Sequence, residues 1–338
     1  MSMPRDTPEI IIPGAPVLHG LTFRHYRGES DHPAMLRVVE ESKKVDLYEE
    51  TPTLEDITNW LNHLDNSDPY TDMLFVEMNK EVVGFTLVWW EEDPNGPYFY
   101  GHFADLMPAW RGKGIRHAML HYNEGKLKEI ASTHPKDRNR YFRVLTEETE
   151  IHWRSVLEDE GYTIMRYGVK MVRPTLDNIP DLPLPEGVEV RPVTPEHYQA
   201  IISAWNEACR DMRGQIPISE ETFKGMQKDP SFDPSLWQIA WYNDQVIGTV
   251  ICFILEKENQ EYHRKRGYTE LISVKRPWRN QGIAKALIAR ALKKLKERGM
   301  TEAALGVDTG NPSGALHLYE KMGYKPVKRA IFYWKPLD

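Results

Sequence analysis

Arg279-Asn280-Gln281-Gly282-Ile283-Ala284 follows the apolar run Leu271-Ile272-Ser273-Val274 and precedes a stretch patterned as a strong helix. This order of strand, small-residue turn and helix start makes an anion site. Amides at a helix start have no intrahelical acceptor, and the helix dipole adds positive potential there. Gly282 and Ala284 are small enough to let a pyrophosphate lie against the main chain. Over residues 285–298, Leu287, Ile288, Ala291, Leu292 and Leu295 continue the apolar face begun by Ala284, and Gly299 supplies a C-terminal stop. Two better-known phosphate loops are absent. Nothing fits a Walker A loop, and the turn has one glycine where a dinucleotide fingerprint has three. Taken alone, the stretch reads equally well as an ordinary tight strand-to-helix turn.

The next segment changes that balance. Residues 301–307 read as a short strand, Asn311-Pro312-Ser313-Gly314 as a turn, and residues 315–322 as a helix ended by Gly323. Here the chain resembles the GNAT superfamily of N-acetyltransferases. That family's first hallmark is Arg/Gln-x-x-Gly-x-Gly/Ala after the fourth strand, which Arg279, Gly282 and Ala284 match. Its second is an Asn followed by Ala-x-x-Leu-Tyr-Glu-x-x-Gly-Phe/Tyr. Asn311 and Ala315-Leu316-His317-Leu318-Tyr319-Glu320-Lys321-Met322-Gly323-Tyr324 match it, in the expected order and spacing.

The pattern occurs twice. Leu106-Met107-Pro108-Ala109-Trp110-Arg111-Gly112-Lys113-Gly114-Ile115 echoes Val274-Lys275-Arg276-Pro277-Trp278-Arg279-Asn280-Gln281-Gly282-Ile283. Upstream, residues 76–90 carry a turn at Asn79-Lys80, and residues 239–255 carry one at Asn243-Asp244. The offset from Gly114 to Gly282 is domain-sized rather than a solenoid period. The expected fold class is α/β (α+β): two tandem GNAT-like domains, each with a mixed, mostly antiparallel sheet flanked by helices. The layout is similar to mycothiol-synthase-like proteins. The expected divisions are an arm at 1–18, a domain with degenerate motifs at 19–173, a Pro-rich linker at 174–187, and a catalytic domain at 188–338.

Composition agrees. The 338 residues suggest about two domains, with 41% hydrophobic and 28% charged residues. A net charge of −7 with no long basic block argues against a nucleic-acid partner. The longest apolar run, 246–255, is too short to span a bilayer, so no membrane partner is expected. Cys209 and Cys252 have no metal-ligand spacing, and no metal is expected. Two cysteines and no signal-peptide pattern lead to the expectation of a reducing, cytoplasmic setting, for a monomer or a homodimer.

The resemblance implies acetyl-CoA as cofactor and a primary amine, of a small molecule or a peptide, as acceptor. It places Tyr319 beside the CoA sulfur as the acid that protonates the leaving thiolate; a phenol suits this because its ordinary pKa is near that of a thiol. Glu270, at the start of the fourth strand, is the candidate base, working through water. Ile272, Ser273 and Val274 would line the cofactor and supply the oxyanion donor, Arg279 to Ala284 (Asn280, Gln281, Gly282 and Ile283 between them) would hold its phosphates, and Asn311 its pantetheine arm. Trp205, Glu207 and Asp211 are the candidates on the acceptor side. The charged insert 256–266 is expected to be a mobile hairpin loop over the site.

The first half departs from the pattern. Arg116 stands where the second small residue belongs, and Leu157 aligns with Tyr319. Arg111, Gly112, Lys113, Gly114 and Arg116 are a candidate second cofactor site without catalysis. Two other readings remain: a non-catalytic acyl-CoA sensor, and an acyltransferase using another acyl-CoA or a hydroxyl acceptor. Retention of Tyr319, Asn311 and the full turn favours an enzyme.

Overall fold

Both copies of the repeated pattern form strands where alternating or continuous apolar residues allow it, and helices where the apolar spacing is helical. The computed structural model describes residues 9–94, 96–210, 212, 214–310 and 314–337. Contacts divide the chain into two units: Met1–Arg166 with Ser219–Met226 and Ala330–Asp338, and Tyr167–Ile218 with Gln227–Arg329.

The first unit contains β1 (Leu21–Arg24), α1 (His32–Asp46), α2 (Leu54–Asn62), α3 (Pro69–Asp72), β2 (Met73–Met78), β3 (Glu81–Glu92), β4 (Tyr98–His102), β5 (Asp105–Leu106), α4 (Ile115–Ser132), β6 (Arg140–Glu147) and α5 (Ile151–Asp159). β1, β2, β3 and β4 pair antiparallel in sequence, and β4 pairs parallel to β6. The β2–β3 turn is tight because Asn79 and Lys80 both take positive φ, 52° and 71°, as a type I′ hairpin requires. Tyr26, Met35, Val38, Phe75, Phe85 and Leu87 form a core between this sheet and α1.

Next in the chain come β7 (Thr163–Arg173), β8 (Val188–Val190), α6 (Tyr198–Ala208), α7 (Glu220–Lys228), β9 (Gln238–Tyr242), β10 (Gln245–Ile254), α8 (Glu256–Glu261), β11 (Arg266–Val274), α9 (Ile283–Glu297), β12 (Glu302–Asp308), α10 (Ala315–Lys321) and β13 (Lys325–Pro336). Except for α7 up to Met226, β7 up to Arg166 and β13 from Ala330, which belong to the first, they build the second unit. Its strand order is β7-β12-β11-β10-β9-β8, antiparallel throughout except for the parallel pair β11–β12. α9 lays Ile283, Ala286, Leu287, Ile288 and Leu295 on this sheet. Gly267 makes that approach possible, since a Cβ there would stand 2.5 Å from a Leu295 methyl.

Each unit is thus a mixed, mostly antiparallel sheet with helices against it. Strand pairing follows an exchange that sequence order does not suggest. Residues 168–173 of β7 pair with β12 inside the second unit. Residues 330–336 of β13 pair antiparallel with β6 inside the first. The Pro-rich segment runs along α9, where Lys296 Nζ meets the Leu176 carbonyl and the Asp177 carboxylate, each at 3.1 Å.

The charged insert is a correction to the sequence reading. It is the short helix α8, not a hairpin loop, and buried polar groups fix it. Glu258 accepts from Tyr268 and Arg264, and Asn259 exchanges two 2.9 Å hydrogen bonds with the main chain of Arg266. Helical spacing puts Glu258 and Asn259 on the inward face while the remaining charges face water.

Candidate functional site

A break in two strand ladders makes the site. β10 pairs with β11 at Thr249↔Ser273 and resumes at Ile251↔Glu270, so Leu271 and Ile272 together face one residue. This is a β-bulge. Leu271 takes φ 43°, a conformation an L side chain rarely adopts and one that stores on the order of 1–3 kcal/mol. Thr249 holds it: its Oγ1 donates to the Leu271 carbonyl at 2.7 Å and lies 2.8 Å from Ser273 Oγ. On the other side, the parallel β11–β12 pairing runs only from Arg266↔Glu302 to Tyr268↔Ala304. Beyond it, the strands are joined by a side chain: Glu270 Oε1 accepts the Gly306 N–H at 2.8 Å. Glu270 is half-buried. Loss of water pushes its carboxyl up to about 7, against the lowering effects of the Gly306 N–H and the Lys170 charge.

Tyr319 stands on α10, buried but for 6% of its surface. Its hydroxyl has no hydrogen-bond partner among the described residues. Burial first, then the charges of Glu270 and Cys209, raise its pKa, so the phenol stays protonated. Tyr324 packs 6.2 Å away, ring to ring, and its hydroxyl meets Thr269 Oγ1 at 2.7 Å. The Glu270 charge is among the causes of the raised Tyr319 pKa, so the two groups lie within electrostatic reach of each other.

The turn completes the group. Gly282 caps α9 with φ 85° and no side-chain capping bond, and the first helical bond is Ala286 N–H to Gly282 carbonyl at 3.0 Å. Amides ahead of Ala286 therefore have no acceptor within the helix. A Cβ on Gly282 would meet nothing within 4 Å, so the face is open; the left-handed φ is what demands glycine. Asn280 also takes positive φ, 64°, and Gln281 Nε2 donates to the Pro277 carbonyl at 3.2 Å. Ile272 and Val274 are half-buried beside the bulge, Ile283 is buried as the first residue of α9, and Ala284 follows it half-buried. The Arg279 guanidinium lies on carbonyls: Nε donates to Val274 at 3.1 Å and Nη2 to Ala208 at 2.8 Å.

The equivalent turn of the first unit is filled by the chain itself. The Gly112 N–H donates to His152 Nε2 at 2.8 Å. Burial, then Arg116 and Arg111, lower the His152 pKa to about 4, which keeps the ring neutral and able to accept. A Cβ on Gly114 would stand 3.6 Å from Pro16, so the N-terminal arm covers the face that is open at Gly282. Arg116 is fully buried; its Nε donates to the Ala104 carbonyl at 2.9 Å and its guanidinium lies 5.3 Å from the Trp153 ring centre. Arg111 forms a bidentate pair with Asp46 at 2.8 and 2.6 Å, and the Lys113 ammonium lies 4.3 Å over the Trp110 ring. Leu157 is fully buried.

On the acceptor side, Trp205 is buried on α6 and its Nε1 has no partner among the described residues. Glu207 pairs with Lys275 at 2.8 Å. Asp211 and Asn311 lie outside the described residues. Sequence reasoning did not find the Leu271 bulge, the Gly306 amide, Thr249 or the nearness of Cys209 to Tyr319. An amide and a backbone angle leave no residue-type signal. Thr249 and Cys209 lie far in sequence from the groups they serve.

Residues 199–324 match the sequence model of the Acetyltransferase (GNAT) family. The chain is similar to an N-alpha-acetyltransferase, MAK3, of Arabidopsis thaliana, with 34% identity over 101 residues, 30% of this chain and 50% of that one. It is similar to a mycothiol acetyltransferase of Thermobispora bispora, with 30% identity over 168 residues, 48% of this chain and 55% of that one. The chain therefore spans about half the length of these curated relatives. In fold it matches a GCN5-related N-acetyltransferase from Sphaerobacter thermophilus, with a TM-score of 0.72 at 22% identity over 95% of this chain and 97% of that one. Residues 199–324 thus carry the sequence pattern of the Acetyltransferase (GNAT) family, and the fold is that of a GCN5-related N-acetyltransferase.

Proposed function

We propose that the second unit is an acetyl-CoA-dependent N-acetyltransferase that acylates a primary amine of a small molecule or peptide. The carrying observation is the pair Glu270 and Tyr319: a carboxyl raised to about 7 and a protonated phenol without a partner, within electrostatic reach beside the β11 bulge. An amine nucleophile must be neutral, and a base poised near neutral pH removes its proton most effectively. The Arabidopsis relative's description as an N-alpha-acetyltransferase supports an amine acceptor.

The residues present fit the cofactor. The open face at Gly282 and the uncapped amides ahead of Ala286 suit a pyrophosphate, and the gap past Tyr268↔Ala304 suits an extended pantetheine arm. Acetyl-CoA supplies the acyl group as a thioester. Glu270 takes the proton of the incoming ammonium, directly or through water. A main-chain N–H of the bulged segment, between Ile272 and Val274, donates to the developing oxyanion. Tyr319 Oη gives its proton to the leaving sulfur. Cofactor binding is assigned to this unit alone, because Pro16, His152 and Arg116 fill the first unit's turn.

Thiol release from acetyl-CoA, measured against a panel of amines and alcohols, tests the proposal. Amine-dependent release that is lost in Glu270→Gln supports it. Tight acetyl-CoA binding with no release for any acceptor would make the protein an acyl-CoA sensor instead.

A further inference from the structure

We infer that the Arg279 side chain is a positioning group: it fastens the C-terminal end of α6 to the cofactor turn and does not hold the cofactor's phosphates. Its guanidinium is turned toward the sheet, with Nε on the Val274 carbonyl and Nη2 on the Ala208 carbonyl. Ala208 is the last residue of α6, where helix carbonyls have no intrahelical donor and a cation is favoured by the dipole. Lys275 fixes the same helix end through Glu207 at 2.8 Å. Cys209, the next residue, acts electrostatically on Tyr319, so the fastened end lies beside the proposed acid.

The first unit repeats this arrangement with different chemistry. Arg111 Nε donates to the Leu106 carbonyl at 3.0 Å, and its two terminal nitrogens grip Asp46, the last residue of α1. In both units the turn arginine reaches back to the same strand end and across to the end of the first long helix. The first unit keeps this fastening although its turn is filled by Pro16 and His152. A group retained where the turn's face is covered is explained by holding a helix, not by holding a phosphate.

The inference rests on the cofactor site proposed above, and its test separates the two. Arg279→Met keeps the stem and removes the fork; Arg279→Lys is the milder variant should the first fold poorly. Affinities for acetyl-CoA and for acetyl-pantetheine, which has no nucleotide and no pyrophosphate, are measured on the full chain. A positioning role leaves the preference for acetyl-CoA within about threefold of the unmodified protein, while the acceptor KM rises by about tenfold or more. A fall in that preference of about tenfold or more means that the guanidinium engages the phosphates, and overturns the inference. Trypsin cleavage after Arg210 under native conditions is the independent readout: loss of the fastening speeds it by about fivefold or more in Arg279→Met and less in Arg279→Lys. Unchanged cleavage overturns the inference. If Gly282→Glu binds acetyl-CoA normally, the cofactor site fails instead, and the cleavage rate still decides the role of Arg279.

Discussion

Glu270 Oε1 accepts the Gly306 N–H at 2.8 Å, across the point where β11 and β12 cease to pair. One carboxylate thus bridges the two strands at one point and, through its charge, acts on Tyr319. Its raised pKa follows from that position, since lost hydration outweighs the Gly306 amide donor and the Lys170 charge.

Glu270→Gln should lower kcat by about 10²- to 10⁴-fold, the usual worth of a positioned base. In the unmodified protein, kcat/KM should rise with pH through an apparent pKa of about 7. That limb should vanish in the variant. Stability carries the opposite sign. The folded carboxyl titrates above its ordinary value, so its contribution is full below the ordinary carboxylate range and is lost as pH rises through about 7. Glu270→Gln should therefore melt higher than the unmodified protein at pH 8, with the difference shrinking toward pH 4. An equal melting difference at both pH values would contradict the assigned pKa.

Tyr319→Phe keeps the ring and removes the proton. Turnover should fall by about 10²-fold or more, chiefly in kcat, with acetyl-CoA affinity little changed. Unchanged kcat would leave Tyr319 as a packing residue on α10.

Calorimetry should find one acetyl-CoA per chain. Gly282→Glu should abolish binding, because the added carboxylate enters the open face and opposes the phosphates. Gly114→Glu, in a folded protein, should leave the stoichiometry unchanged. Two binding events in the unmodified protein would show that Pro16 and His152 can be displaced.

Tyr333 is fully buried in β13, where its hydroxyl meets Glu158 and Arg154 of the first unit. Tyr333→Ala should destabilise that unit by about 3–5 kcal/mol, as for other large aromatic truncations. Hydrogen exchange along β6, its ladder partner, should accelerate, with β11 less affected.

What was legible in the sequence was what lies close together in it. Gly282 and Tyr319 each sit inside a short motif whose residue types carry their own physical reason, and the structure puts Gly282 at an open helix start and Tyr319 on a buried helix face. Leu271 could not be read as a bulge, because its strain depends on Thr249, far away on another strand. The Gly306 amide has no side chain to announce it. The insert at α8 misled because its charge count reads as solvent-exposed, whereas Glu258 and Asn259 are buried and paired. The repeat told that two similar sheets exist, but not which strand ends each would use. Alternation along β13 fits pairing with any neighbour, and register is set by partners distant in the chain.

The placement of residues 330–336 has a consequence during synthesis. A ribosome adds about 5–20 residues per second and releases most domains to fold from the N-terminus onward. The sheet begun at β1 cannot close in that order, since its last strand leaves the exit tunnel after all of β7 to β12. Until then β6 presents an unpaired edge, a template for other chains. The nascent polypeptide must therefore guard the sheet begun at β1 until residues 330–336 arrive.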